Sequence, residues 1–249
     1  SDEIMSLEGE SGQWESLSDW EDKCSEGKYN KDTGLVIDSG WDLICLSKIE
    51  PSLYCDKKLV LTNPNLDTTT CPEGADPSLA FQGLGTDAEP FVGIVEYGAG
   101  NEATISLSRP LFNRLSFQEN TSLCTLYLKS SQNTTALLAD TVDGCTNAAI
   151  QVFLENPVAS EDVSAVLPPV FRTIDVQGEQ NTNIQISVTN RAEVGVTGNG
   201  LICNTLDTNA QLTVTGITNY PGCSASGDVG VGGLVGTMES GSILQVGDS

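Results

Sequence analysis

The chain has 249 residues, of which 39% are hydrophobic and 18% charged; this suits one large core or two small ones and argues against global disorder. Eleven basic residues face 34 acidic ones, for a net charge of -23, which argues against nucleic acid or an anionic membrane surface as partner, since both need clustered Lys and Arg. There is no histidine, so Ser-His-Asp and Cys-His catalysis, His-ligated zinc and a His-based pH switch are ruled out. Residues 1–38 read as an acidic arm, in which the spacing of Trp14, Leu17 and Trp20 predicts a short amphipathic helix packed on the domain. Ser39 to Lys48 predicts a second short helix with Ser39 as N-cap. Lys58 to Asn63 is strand-like, and residues 71–90, rich in Pro, Gly and Asp, read as loop.

From residue 91 onward, short alternating segments recur: 103–107, 125–128, 149–152, 173–176, 184–188, 211–214 and 242–246. Apolar pairs lie between them: Leu111-Phe112, Leu137-Leu138, Val166-Leu167, Leu201-Ile202 and Leu234-Val235. The pairs step by 26, 29, 35 and 33 residues, and Leu126, Ile150 and Ile174 step by 24 and 24. Two interleaved series sharing one period predict a repeat architecture. Strands of three to five residues separated by polar corners fit an all-β solenoid of stacked parallel coils (a β-helix), with residues 39–90 as a helical cap and entry region and 91–249 as coils. Aliphatic ladders would then repeat at about 4.8 Å.

Eight cysteines without a CxxC pair read as disulfides in an oxidising compartment, against the alternative of scattered buried thiols in a reducing one. Cys124 and Cys145 each precede a strand of one series, so they form the first pairing expectation. Cys203–Cys223 reads as a loop clamp, and Cys45–Cys55 and Cys24–Cys71 remain. Sequons at Asn120 and Asn133 fit an extracellular chain. No apolar run is long enough to span a bilayer. No signal peptide is visible, so a secreted chain would be numbered from its mature start or be a fragment.

Two chemical centres come into question. Asp140, Asp143, Glu155, Asp175 and Glu193 could line one face, as in carboxylate-dependent polysaccharide enzymes, but no two occupy a shared position on the spacing above, and Arg109, Arg114, Arg172 and Arg191 look scattered. A solvated surface is the better reading. Asp140 to Gly144 resembles part of a calcium loop but lacks its full frame. No cofactor is therefore expected, with room left for weak calcium binding.

The run from Val231 to Ile243, with Gly232-Gly233-Leu234-Val235-Gly236 at its centre, resembles the GLUG motif of large bacterial surface proteins. Leu59 to Leu66, Phe91 to Ile105 and Leu111 to Leu115 resemble the entry region of the same family. Similarity covers residues 39–128 and 229–249; the cysteines and the acidic arm depart from the pattern. The resemblance implies a right-handed parallel β-helix and a non-catalytic structural or adhesive role, secreted or at the cell surface. Partners would be carbohydrate or protein ligands and neighbouring modules or subunits. A filament or sheath subunit stacking end to end, and a polysaccharide-active enzyme, are the alternatives.

Overall fold

The structure is a computed structural model and describes residues 14–98, 103–131, 134–158, 166–176, 182–192, 195–197, 200–219, 225–226 and 233–247. It is mostly β, and every strand pair among the described residues is parallel. A long sheet of seven strands runs from Asn65–Asp67 through Ala103–Leu107, Leu126–Ser130, Cys145–Leu154, Asn183–Asn190 and Gln211–Asn219 to Ile243–Val246. A five-stranded sheet holds Phe112–Ser116, Ala139–Asp143, Phe171–Ile174, Cys203–Leu206 and Val235–Met238. From residue 112 to 246 the chain visits these two sheets alternately. A three-stranded corner sheet and a four-stranded entry sheet complete the set. The entry sheet pairs Leu35–Ile37, from the arm, with Leu59–Leu61.

Among the described residues, two α-helices form where sequence caps them. In α1, Leu17–Cys24, Ser16 and Asp19 make a reciprocal capping box; in α2, Gly40–Leu46, Ser39 and Asp42 do the same. Such boxes satisfy backbone N–H groups that a short helix would otherwise leave open. Trp14 precedes α1 instead of lying on it, and its indole N–H donates to Glu73 O at 2.8 Å. Trp20 is fully buried. The second helix lies directly on the first strand of the long sheet: a Cβ at Gly40 would overlap the Asp67 carbonyl. That helix covers the sheet edge which would otherwise present unpaired backbone groups.

The core consists of columns of apolar residues in register. In the five-stranded sheet Phe112, Ala139, Phe171, Cys203 and Val235 align, as do Leu115, Val142, Ile174, Leu206 and Met238. All but the last member of each column are buried. Burial of one such large side chain contributes roughly 1.5–3 kcal/mol before entropy is counted. From Ala139 onward the repeat is constant: the steps to Phe171, Cys203 and Val235 are equal.

That register corrects several expectations. Leu126 pairs with Val152, and Ile174 lies in the other sheet, so the series Leu126, Ile150, Ile174 joined unrelated positions. Val166-Leu167 belongs to the corner sheet, paired with Gly195-Val196; Val170-Phe171 takes the place in the five-stranded sheet, with Leu138 N–H donating to Val170 O. Only Pro168-Pro169 separates the two pairs, within the constant repeat. Three strands of the long sheet, Cys145–Leu154, Asn183–Asn190 and Gln211–Asn219, are eight to ten residues long, longer than expected because polar residues alternate on their outer face.

The expected disulfides are not formed: none of the seven described cysteines is in a disulfide. Leu126 is level with Val152, which sets Cys124 near Ile150, while Cys145 lies across a register shift, level with Asn183 and three places along that neighbouring strand from Ile186, the partner of Ile150, on the order of 10 Å away. Cys45 donates its thiol to Glu15 O at 3.7 Å and Cys55 to Glu89 O at 3.3 Å. Cys24 is buried at the end of α1, while Cys71 donates to Asp76 O at 3.4 Å. Cys203 fills a core column, and Cys223 lies outside the described residues. Burial holds the thiols of Cys45, Cys55 and Cys203 up to about 12 and that of Cys124 up to about 11, which keeps them protonated and poorly nucleophilic.

Candidate functional site

The outward positions of the five-stranded sheet carry two polar columns. Arg114 aligns with Thr141, Thr173, Thr205 and Thr237. Ser116 pairs with Asp143, and the ladder continues through Asp175, Asp207 and Glu239, whose N–H groups donate to Val142 O, Ile174 O and Leu206 O. Four carboxylates therefore stack at intervals of about 4.8 Å. Like charges so placed repel and need a counter-charge or a shared proton.

Arg114 supplies the first. Its Nε and Nη2 lie 2.8 and 2.6 Å from Asp143 Oδ2, and Nη2 donates to Asp175 Oδ2 at 2.9 Å. Asp143 is only 1% exposed and also accepts from the Ser116 hydroxyl. Burial alone would lower the Arg114 guanidinium, but hydrogen bonds to Asp175 and Asp143 outweigh it and raise it.

Asp175 and Asp207 answer the second by shifting in opposite directions. Burial pushes Asp175 upward, yet hydrogen bonds from Asp207 and Arg114 leave it below the ordinary carboxylate range. Asp207 is raised, chiefly by its hydrogen bond to Asp175. The two shifts have opposite consequences. Asp175 contributes stability above its ordinary value and loses it as pH falls; Asp207 contributes while protonated and loses it as pH rises through its raised value. Asp207→Asn should thus stabilise the protein at neutral pH by about 0.2–1 kcal/mol, with the gain fading below pH 4 and in high salt. Urea unfolding at pH 7 and pH 3.5 checks this; destabilisation at pH 7 would refute the repulsion along the column.

Beside the ladder lies a pocket of about 530 Å³, floored by Ile49, Pro51 and Tyr54 and walled by Ser47, Arg109 and Asn113. An adjoining depression of about 380 Å³ shares Arg109, Asn113 and Asp140. Asp140 is held by Arg172 through bonds of 2.8 and 3.1 Å. An apolar cleft of about 480 Å³ separates Trp14 and Leu17 from Trp41 and Leu79.

The structure distributes the expected site residues unevenly. Asp143 and Asp175 meet in adjacent strands, contrary to expectation, because the true repeat follows the step from Ala139 to Phe171 and not the shorter series. Asp140 stands on the same strand as Asp143, beside the outward column of threonines, and Glu155 lies 3.9 Å from Arg191. Glu193 is outside the described residues. In the calcium-like segment both Asp140 and Asp143 face arginines, and no group of three or more metal-ligating side chains occurs among the described residues. Asn120 is exposed in a turn; Asn133 and Gly232 lie outside the described residues. Gly233 needs no glycine for space, since a Cβ there would meet nothing. Leu234 and Val235 continue the core pattern, and Gly236 sits within the last strand of the five-stranded sheet. Sequence reasoning missed Asp207 and Glu239, although Asp143, Asp175, Asp207 and Glu239 follow one another at equal steps along the chain. Comparison with family models, curated proteins and solved structures gave no match.

Proposed function

We propose that the chain is a right-handed parallel β-helix of the GLUG-motif type, serving as a non-catalytic structural or adhesive module of a secreted or cell-surface protein. The observation that carries this reading is the constant register, which stacks like residues in columns as successive coils would. Stiff stacks with polar outer columns suit spacing and repeated weak contact. An acidic surface keeps such a stack soluble. No helix among the described residues is long and apolar enough to cross a membrane. Protease shaving of intact source cells, followed by peptide mapping, tests the location. Peptides from residues 39–249 are expected in the shaved fraction; their recovery only after lysis overturns the reading.

The assembly part of the proposal rests on the last strands. Val235–Met238 and Ile243–Val246 are sheet edges, and Met238, Ile243 and Val246 are 47%, 44% and 55% exposed. Apolar edges of this kind pair with another β edge. The opposite edge of the long sheet is covered by α2, so head-to-tail stacking of identical copies meets a helix, whereas two copies joined at their uncovered edges do not. The isolated chain should therefore dimerise with increasing concentration, and Ile243→Lys with Val246→Lys should weaken dimerisation at least tenfold. Light scattering after size exclusion reads this, and a strict monomer at millimolar concentration contradicts it.

The polysaccharide-enzyme reading is favoured by one feature: neighbouring carboxylates beside Arg114, Asp175 held low and Asp207 held high, are an acid–base arrangement. Reducing-sugar release from a polysaccharide panel, lost in Asp175→Asn, would support it over the non-catalytic reading.

A further inference from the structure

The protein has four arginines, and three of them are ion-paired: Arg114 with Asp143 and Asp175, Arg172 with Asp140, and Arg191 with Glu155. Arg109 makes no salt bridge among the described residues. It is half-buried, and burial lowers it, an effect partly offset by the nearby Asp140. Its Nη2 donates to Asn113 Oδ1 at 2.6 Å, while its buried Nε has no hydrogen-bond partner. A cation taken partly out of water in this way calls for an acceptor.

Its position is fixed by the surroundings. Asn113 spends both amide hydrogens on Gln82 O and Gly85 O, at 2.9 Å each. Its remaining oxygen holds Arg109. The Gly85 N–H donates to the Tyr54 hydroxyl at 2.9 Å, so the turn at 82–85 is tied on two sides. Asn113 thus acts as a positioning residue for a guanidinium that borders both the 530 Å³ pocket and its 380 Å³ neighbour. The larger volume lies within the range of small-ligand sites, about 300–1,000 Å³. Its apolar floor of Ile49, Pro51 and Tyr54 suits a carbon skeleton. The Thr86 hydroxyl and the Gln82 side-chain amide on its wall suit ligand hydroxyls, while the exposed Asp87 carboxylate stands at the rim.

We propose that this pocket binds a small carboxylate-bearing, polyhydroxylated ligand, an acid sugar in chemical terms, with Arg109 receiving the carboxylate. A planar guanidinium matches a carboxylate in geometry as well as charge. The inference deepens the adhesive reading by naming a ligand class, but a binding assay in solution decides it wherever the chain resides.

The test is calorimetric titration of the full chain with sodium glucuronate, with glucose and acetate as the other arms. Glucuronate should bind at least tenfold tighter than either. Arg109→Gln should weaken it at least tenfold with an unchanged circular dichroism spectrum. Asp87→Asn, which removes a like charge from the rim, should strengthen it about two- to fivefold, a gain that a purely structural role for the pocket would not produce. If Arg109→Gln fails to fold, Arg109→Lys keeps the charge without the fork and should still weaken binding severalfold. Glucuronate binding no tighter than glucose, or unaffected by either Arg109 change, overturns the proposal. Acetate binding as tightly as glucuronate overturns its hydroxyl half.

Discussion

Replacing Arg114 by leucine should destabilise the protein by about 3–5 kcal/mol, the cost of leaving a buried charge without its partner. Asp143 is almost completely buried and depends on Arg114 for its opposite charge. The same guanidinium reaches Asp175 in the next strand, so one substitution releases the repulsion along the acidic column. Acidification should narrow the gap between the two proteins. Asp175 lies below the ordinary carboxylate range, so its contribution is present above about pH 4 and lost as pH falls. Combining Arg114→Leu with Asp143→Leu should recover much of the loss, because an apolar pair avoids desolvating charge. Urea unfolding followed by circular dichroism gives all three values. A loss below about 1 kcal/mol for the single change would mean that Arg114 is a surface residue in energetic terms.

Gly144→Ala is the other large effect, expected at about 3 kcal/mol or more. Gly144 has φ +127°, and an added Cβ would overlap the Phe117 carbonyl of the preceding strand pair. On its other side the Gly144 N–H donates to Thr182 Oγ1 at 3.3 Å, and the Asn183 N–H donates to Gly144 O at 3.0 Å. The residue is therefore clamped between its two neighbours and cannot back away. Gly27→Ala is the control. Its φ is +89°, but a Cβ there meets nothing, so it should cost only the backbone strain, about 1–2 kcal/mol. Similar losses at both sites would remove the argument from close approach.

Much of the local structure was legible in the sequence. The Ser39 cap, the strand at 58–61 and the strand at 103–107 announce themselves through capping chemistry and alternation. The repeat was legible as a fact but not in its length. Apolar pairs recur in both sheets and in the corners, so pairing the nearest ones mixed three different columns. Polar residues carried the cleaner signal. Thr141, Thr173, Thr205 and Thr237 mark the repeat at equal steps, as do the acids two positions further on, because fewer residue types tolerate an outward position beside a charge. The cysteines misled for a physical reason: as small apolar groups they fill core columns as well as alanine does, and an even count says nothing about proximity. The Arg109 pocket could not be read at all, since Tyr54, the turn at 82–85 and Asn113 come together only through strand pairing.

The constant register also bears on how damage spreads. Each rung touches little beyond the one before and the one after, so a defect confined to one layer leaves the contacts of distant layers intact. Mutation can loosen a single tier while remote tiers stay closed, and assembly can begin wherever two tiers first meet.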